Sequence, residues 1–227
     1  MDEPVERTPR GPVPEYSRAQ LAAAAIAIAD ASGLAATSMR KVAAAVGAAP
    51  ASLYRYVRSR DDLVALMADA AMTELDLPRE PSGTGWRADV LVVAHRLRDL
   101  YRRHPWLLEL TPGGTGIGPQ LLGPASIDFL DAAVAAVAEL ERPGPVTLEA
   151  VAMLTGVVGL FARDELAGRQ TSPEGQAELA AHLQRVLAAG RHPHLAQAVA
   201  RPPEQPHEPE NVFERVVLNV MSGLLGA

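Results

Sequence analysis

Between Thr37 and Arg60 the chain gathers side chains that can hold an anion or read a polar edge. Ser52 and Tyr54 carry hydroxyls able to donate to phosphate oxygens. Arg40, Arg55, Arg58 and Arg60 carry guanidinium forks that match phosphate oxygens or the acceptor edge of guanine. Pro50, Ala51 and Tyr56 offer small and aromatic surface to bases and thymine methyls. The chemistry these types support is non-covalent: a duplex held by its backbone and read at its base edges. The same spacing also suits an ordinary helical hairpin with a solvated basic face.

Other chemistries find less support. The chain has no cysteine, which excludes disulfides, thiolate zinc sites, iron–sulfur clusters and thiol catalysis. His192 and His194 flank Pro193 with no third ligand in sight, so they read as surface histidines and no metal or cofactor is expected. The run Gly113 to Gly118 resembles a phosphate loop only superficially. It has no strand before it, no Lys-Ser/Thr after it, and Pro119 where the third glycine would stand. Asp164 and Glu165 are helix neighbours that point apart. A helical enzyme stays as the alternative of a different class, beside a helical small-molecule binder without DNA-binding activity.

Charge is distributed unevenly. Net charge is −6 over 227 residues, yet residues 17–60 hold six basic side chains against Asp30 alone. Residues 61–227 hold 13 basic and 22 acidic residues. A cationic head on an acidic body suits a nucleic-acid reader joined to a unit with another task. Of the 21 basic residues only Lys41 is lysine. No apolar run approaches the roughly 18 residues of a membrane span, so no membrane partner is expected and the expected compartment is the cytoplasm.

The elements that must position these side chains are helical. Alanine, the best helix former, occurs 41 times, and aromatics make up only 4%. The expected fold is all-α. Residues 1–16, with four prolines, read as a disordered arm. Ser17 caps a helix to about Ser32 with Leu21, Ala25 and Ile28 inward, and Gly33 stops it. Thr37 or Ser38 caps a second, short helix that ends at Gly47. A third runs from about Pro50 to Val57, and a fourth from Asp61 to about Leu77. After a linker, Pro78 to Gly85, a fifth spans Trp86 to His104, and Pro105 opens a short segment to Leu110. Residues 111–124 read as a loop. Further helices are predicted over Ala125–Leu140, Val146–Ala167, Glu174–Ala189, His194–Ala200 and Asn211–Leu225, with a proline break from Pro202 to Pro209.

A short helix, a tight turn at Gly47 and a second short helix match the helix-turn-helix arrangement. Ser38-Met39-Arg40-Lys41-Val42-Ala43, Val46-Gly47, Ser52-Leu53-Tyr54-Arg55-Tyr56-Val57 and Arg60-Asp61-Asp62-Leu63 together resemble the DNA-binding domain of the tetracycline-repressor (TetR) family. His104-Pro105-Trp106-Leu107, Leu122-Gly123-Pro124 and the last helix are similar to the C-terminal domain of the tetracycline-repressor type. The resemblance implies a homodimeric transcriptional regulator, usually a repressor, with a DNA-binding domain over 17–60. It implies an effector-binding and dimerisation domain over 61–227, joined through a connecting helix at 61–77. It implies phosphate contacts from Ser38, Ser52, Tyr54 and Arg60, and places Arg40, Pro50, Ala51 and Tyr56 nearest the bases of operator DNA. One departure stands out: Ala49 occupies a position often held by a capping Ser or Thr.

For the larger domain, a cavity for a small-molecule effector is expected among the fifth to eighth helices. Tyr101, His104, Trp106, Leu107, Phe129 and Met153 are candidates for its lining, and the same residues would serve as plain core. The helices from Val146 and Asn211 are apolar on more than one side. Val151, Leu154, Val158, Phe161, Phe213, Val217, Val220 and Leu224 are therefore expected at a four-helix dimer interface. A helix pair buried within one domain would satisfy the same pattern.

Overall fold

The computed structural model describes residues 16–111, 119–168, 172–201 and 209–227, and among them the fold is all-α. The arm up to residue 15, the glycine-rich run 112–118 and the prolines at 202, 203 and 206 lie outside the described residues.

Local signals set the first helices. Helix α1, Arg18–Ser32, opens on a capping box: Ser17 Oγ accepts from the Gln20 N–H, and Gln20 Oε1 accepts from the Ser17 N–H. Gly33 ends it at φ +80°. A 3-10 turn over Leu34–Ala36 leads to α2, Met39–Ala45, capped by Ser38 rather than Thr37. Gly47, at φ +73°, makes the turn, and its left-handed backbone is what glycine adopts without strain.

Helix α3, Pro50–Leu53, is shorter than expected. The Tyr56 carbonyl is taken by Arg18 Nη1 at 2.5 Å and the Arg58 N–H by Asp62 at 3.0 Å. Both groups are thereby lost to a continued helix ladder, although Leu53 and Val57 still bury as expected. Helix α4, Arg60–Met72, starts on a Ser59 cap with Asp61 and Asp62 in its first turn, where negative charge suits the dipole. It gives way to a 3-10 turn, Thr73–Leu75, and a left-handed Asp76, short of the expected Leu77.

Helix α5, Trp86–Arg103, buries Val90, Val93, Ala94, Leu97, Leu100 and Tyr101 on the expected face. Pro105–Leu110 is a 3-10 segment. The expected helix 125–140 splits into α6, Pro124–Ala135, and a 3-10 turn, Ala138–Leu140. Helices α7, Gly144–Gly168, α8, Pro173–Ala188, α9, Pro193–Ala200, and α10, Pro209–Leu225, complete the chain.

Two sets of packing follow. At the N-terminal end α1 packs on α2 and α4 around Leu21, Ala25, Val42, Leu53 and Leu63. In the body α7 packs on α5, α6 and α10. By length and composition α7 could cross a membrane, contrary to the sequence expectation, but here it forms the centre of the body. Helices α8 and α9 pack mainly on each other and leave Leu179, Leu195 and Val199 exposed.

The residues expected at a dimer interface fall into two groups by their burial within one chain. Val151, Leu154, Val158, Phe213 and Val217 are at most 1% exposed within their own chain. They are buried between α7, α10 and the helices these pack on. Phe161, Val220 and Leu224 are half-buried. The half-buried Met153 and Val157 and the exposed Leu160 form an outer apolar stripe on α7, four and three residues apart.

Candidate nucleic-acid interface and cavity

The head presents unpaired positive charge. Arg40, Lys41, Arg55 and Arg58 are exposed, and their side chains make no hydrogen bond or ion pair among the described residues. Tyr54, just past α3, is 56% exposed, a large aromatic left in solvent. Pro50 and Ala51 are exposed at the start of α3, and Tyr56 is half-buried. Two polar residues are already engaged. Ser52 Oγ donates to the Ala49 carbonyl at 2.7 Å, and Ser38 Oγ accepts from the Lys41 N–H at 3.3 Å. Residues before α2 brace the unit: Tyr16 donates to the Gly47 carbonyl at 3.2 Å, and Arg18 to that of Tyr56.

Arg60 sits differently from the other cations. Its guanidinium donates to the Leu34 carbonyl at 3.0 Å and the Thr37 carbonyl at 3.4 Å. It ties the first residue of α4 to the segment that leads into α2.

A cavity of about 280 Å³ lies in the body, walled by α5, α6 and α7, the 3-10 segments Pro105–Leu110 and Pro119–Leu121, and the end of α4. Of the six residues expected to line it, Tyr101, Leu107 and Phe129 do. His104, Trp106 and Met153 do not. Met153 lies on the outer stripe of α7. His104 and Trp106 turn toward the head: His104 Nδ1 and Trp106 Nε1 both meet Asp30 Oδ1 at 2.8 Å. His104 Nε2 lies 3.2 Å from Glu74, which also pairs with Arg103. Asp30 belongs to α1 and Glu74 to the turn after α4, so this cluster joins body to head.

Sequence reasoning missed Ser126 and Leu130 on α6, Leu148, Ala152 and Thr155 on α7, and Met72 at the end of α4. The spacings 126, 129, 130 and 148, 151, 152, 155 are each one helix face. That signal was available, but periodicity marks a buried face without saying whether a void lies against it.

Helix α4 touches both regions. Arg60 at its start bonds the head, Asp69 accepts the Ala125 N–H at 2.8 Å and so caps α6, and Met72 at its end lines the cavity.

Comparison with known proteins matches these two regions separately. Residues 21–67 match the model of bacterial regulatory proteins of the tetR family, and residues 77–226 that of the tetracyclin repressor-like C-terminal domain. The HTH-type transcriptional repressor DrrR1 of Streptomyces coeruleorubidus is 34% identical over 197 residues, 84% of this chain and 71% of that protein. The chain belongs to the tetR family. An HTH-type transcriptional regulator of Saccharopolyspora erythraea is 32% identical over 170 residues, 75% of this chain and 70% of that protein. In fold, the tetR-family chain resembles ActR of Streptomyces coelicolor crystallised with (S)-DNPA. The TM-score is 0.73 at 24% identity, covering 94% of this chain and 99% of ActR. Like other members of the family, the protein is a DNA-binding transcriptional regulator. The helix-turn-helix of α2 and α3 is the element such a regulator places on DNA.

Proposed function

We propose that this tetR-family regulator is a homodimeric, ligand-responsive repressor. It holds a near-palindromic operator and leaves it when a small molecule fills the cavity. One observation carries the reading: the helix whose first residue is bonded into the head ends in the wall of the cavity. The family supports repression, since the relative from Streptomyces coeruleorubidus is named a repressor. ActR, solved with actinorhodin as well as (S)-DNPA, supports a small molecule as the signal.

On DNA, Ser38, Ser52 and Tyr54 meet phosphates, joined by Arg60 with the donors that Leu34 and Thr37 leave free. Arg40, Pro50, Ala51, Arg55 and Tyr56 lie toward the bases. A two-fold axis sets two such heads about 34–36 Å apart, one helical turn of duplex. The outer stripe of α7, with Val216 and Val220 of α10, supplies the apolar face for the second copy. A ligand pressing on Met72 and α6 shifts α4, because Asp69 fixes α6 to it, and Arg60 passes the shift to α2. The ligand must prefer the shifted state for operator affinity to fall. The protein acts in the cytoplasm on duplex DNA, with no catalytic step.

The test is selection of binding sites from genomic DNA, followed by titration of the best site at two salt concentrations. The expected result is a palindrome bound by two copies, with affinity falling steeply with salt as counterions are released. Tyr54→Ala should lose about tenfold, the worth of one charge-assisted hydrogen bond. No enrichment by folded, dimeric protein would leave a ligand binder without operator activity and end this reading.

A further inference from the structure

Among the described residues the cavity wall holds no acidic or basic side chain, and Tyr101 is its one titratable group. Four lining residues bring hydroxyls, and they divide into two kinds. Thr155 Oγ1 donates to the Val151 carbonyl at 3.0 Å. Thr111 Oγ1 donates to the Leu108 carbonyl and accepts from Arg163. These two are satisfied by the protein itself. Ser126 Oγ is buried with no hydrogen-bond partner among the described residues, on a residue 4% exposed. The Tyr101 hydroxyl, on a residue equally 4% exposed, makes no hydrogen bond among the described residues.

Buried polar atoms are almost always paired, because an unpaired one carries the full desolvation penalty of its group. Ser126, in the first turn of α6, and Tyr101, on α5, both line the apolar cavity, and a hydroxyl without a partner on each marks a place where a guest can supply one.

We propose that Tyr101 and Ser126 are the hydrogen-bonding anchors of the cavity, selecting an uncharged, largely apolar ring compound that carries carbonyl or hydroxyl oxygens. The proposal rests on the reading of this cavity as the effector site. A charged guest would lose its hydration and meet no counter-charge on the wall. The nearby Arg163 uses its Nη2 donor on the Leu108 and Thr111 carbonyls. Burial pushes the Tyr101 phenol up to about 12, against the opposing pull of Arg163, so at neutral pH it is a donor. A donor of this kind suits a carbonyl oxygen. Ser126 both donates and accepts, and so suits either group. Phe129 and Leu130, one turn on along α6, supply the apolar wall such a ring compound needs.

The probe is 6-propionyl-2-(dimethylamino)naphthalene, an uncharged fluorophore whose emission moves to the red when its ketone accepts a hydrogen bond. The control is N,N-dimethyl-2-naphthylamine, the same rings without the ketone. Wild-type protein should bind both, and Ala152→Phe, which fills the cavity, should abolish both. Tyr101→Phe and Ser126→Ala should each weaken the ketone probe about fivefold and leave the control unchanged, and Tyr101→Phe should also lose the red shift. Both variants should melt at or above the wild-type temperature, because each removes an unpaired group. Equal weakening of probe and control, or no change in either, overturns the assignment of anchors while leaving the cavity a ligand site. Binding of both compounds undisturbed by Ala152→Phe, or no binding to wild type, overturns the cavity reading itself and the anchors with it.

Discussion

Ala49 leaves the first turn of α3 without a side-chain cap, and the helix is four residues long. The Ser52 hydroxyl turns back to the Ala49 carbonyl and leaves the orphan N–H groups of that turn uncapped. Ala49→Ser or Ala49→Thr should restore a cap worth about 1 kcal/mol. In operator titrations this should appear as roughly fivefold tighter binding, with the salt slope of the wild type if the new hydroxyl only caps. A steeper slope would mean that the added group reaches the backbone itself. At this scale much of the head was legible from sequence. Ser17, Gly33, Ser38, Gly47 and Pro50 each announce a boundary by their own chemistry, and each stands at one. The roles of His104 and Trp106 were not legible. Their partner Asp30 lies more than 70 residues away, and no local pattern encodes such a pair.

Among the elements, α4 and the 3-10 segment after α5 do most to join head and body. Asp69 caps α6 only because Gly123 carries no side chain: a Cβ there would run into the Asp69 carboxylate. Gly123→Ala should push that carboxylate off the α6 terminus and destabilise the protein by about 1–2 kcal/mol, read as a lower urea midpoint. An unchanged midpoint would mean that the cap adds nothing. The 3-10 segment sends Leu107 into the cavity and its neighbour Trp106 to Asp30 of α1. Trp106→Phe keeps a ring and loses the donor. Amide exchange in the last turn of α1 should rise, while the centre of α5 stays as protected as before. Equal exchange in both proteins would show that the body does not hold the head through Asp30. The shortening of α3 and the split at Ala136–Val137 escaped the sequence because they depend on distant or local backbone competition that a 3.6-residue period does not record.

For the whole molecule, a half-buried charged cluster ties the body together. Arg98, 2% exposed, lies over the Phe213 ring at 4.1 Å and bonds Glu165. Arg102 bonds the same carboxylate at 2.7 Å. The cluster gathers α5, α7 and α10. Burial works to raise the Glu165 carboxyl, but hydrogen bonds from Arg102 and Arg98 and their charges outweigh it and hold it below its ordinary 4.5. A carboxyl lowered on folding stabilises fully above its unfolded value and loses that contribution as pH falls through its folded one. Glu165→Gln should therefore cost about 1.5–3 kcal/mol at neutral pH. The gap to wild type should narrow as pH drops below 4.5, which denaturant titrations at several pH values would follow. A gap independent of pH would place the loss in packing rather than charge.

The chain's single lysine, Lys41, is exposed in the first turn of α2, on the basic head. Every other cation along the sequence is a guanidinium, inert to acylating reagents at neutral pH. The protein thus carries one reactive side-chain amine, and it stands where duplex should dock. Mild acylation followed by mass measurement becomes a footprint with a single reporter. Occupied operator should shield Lys41, and a compound that empties the operator should restore its reaction. Screening for that compound then needs neither labelled DNA nor knowledge of the genes under control.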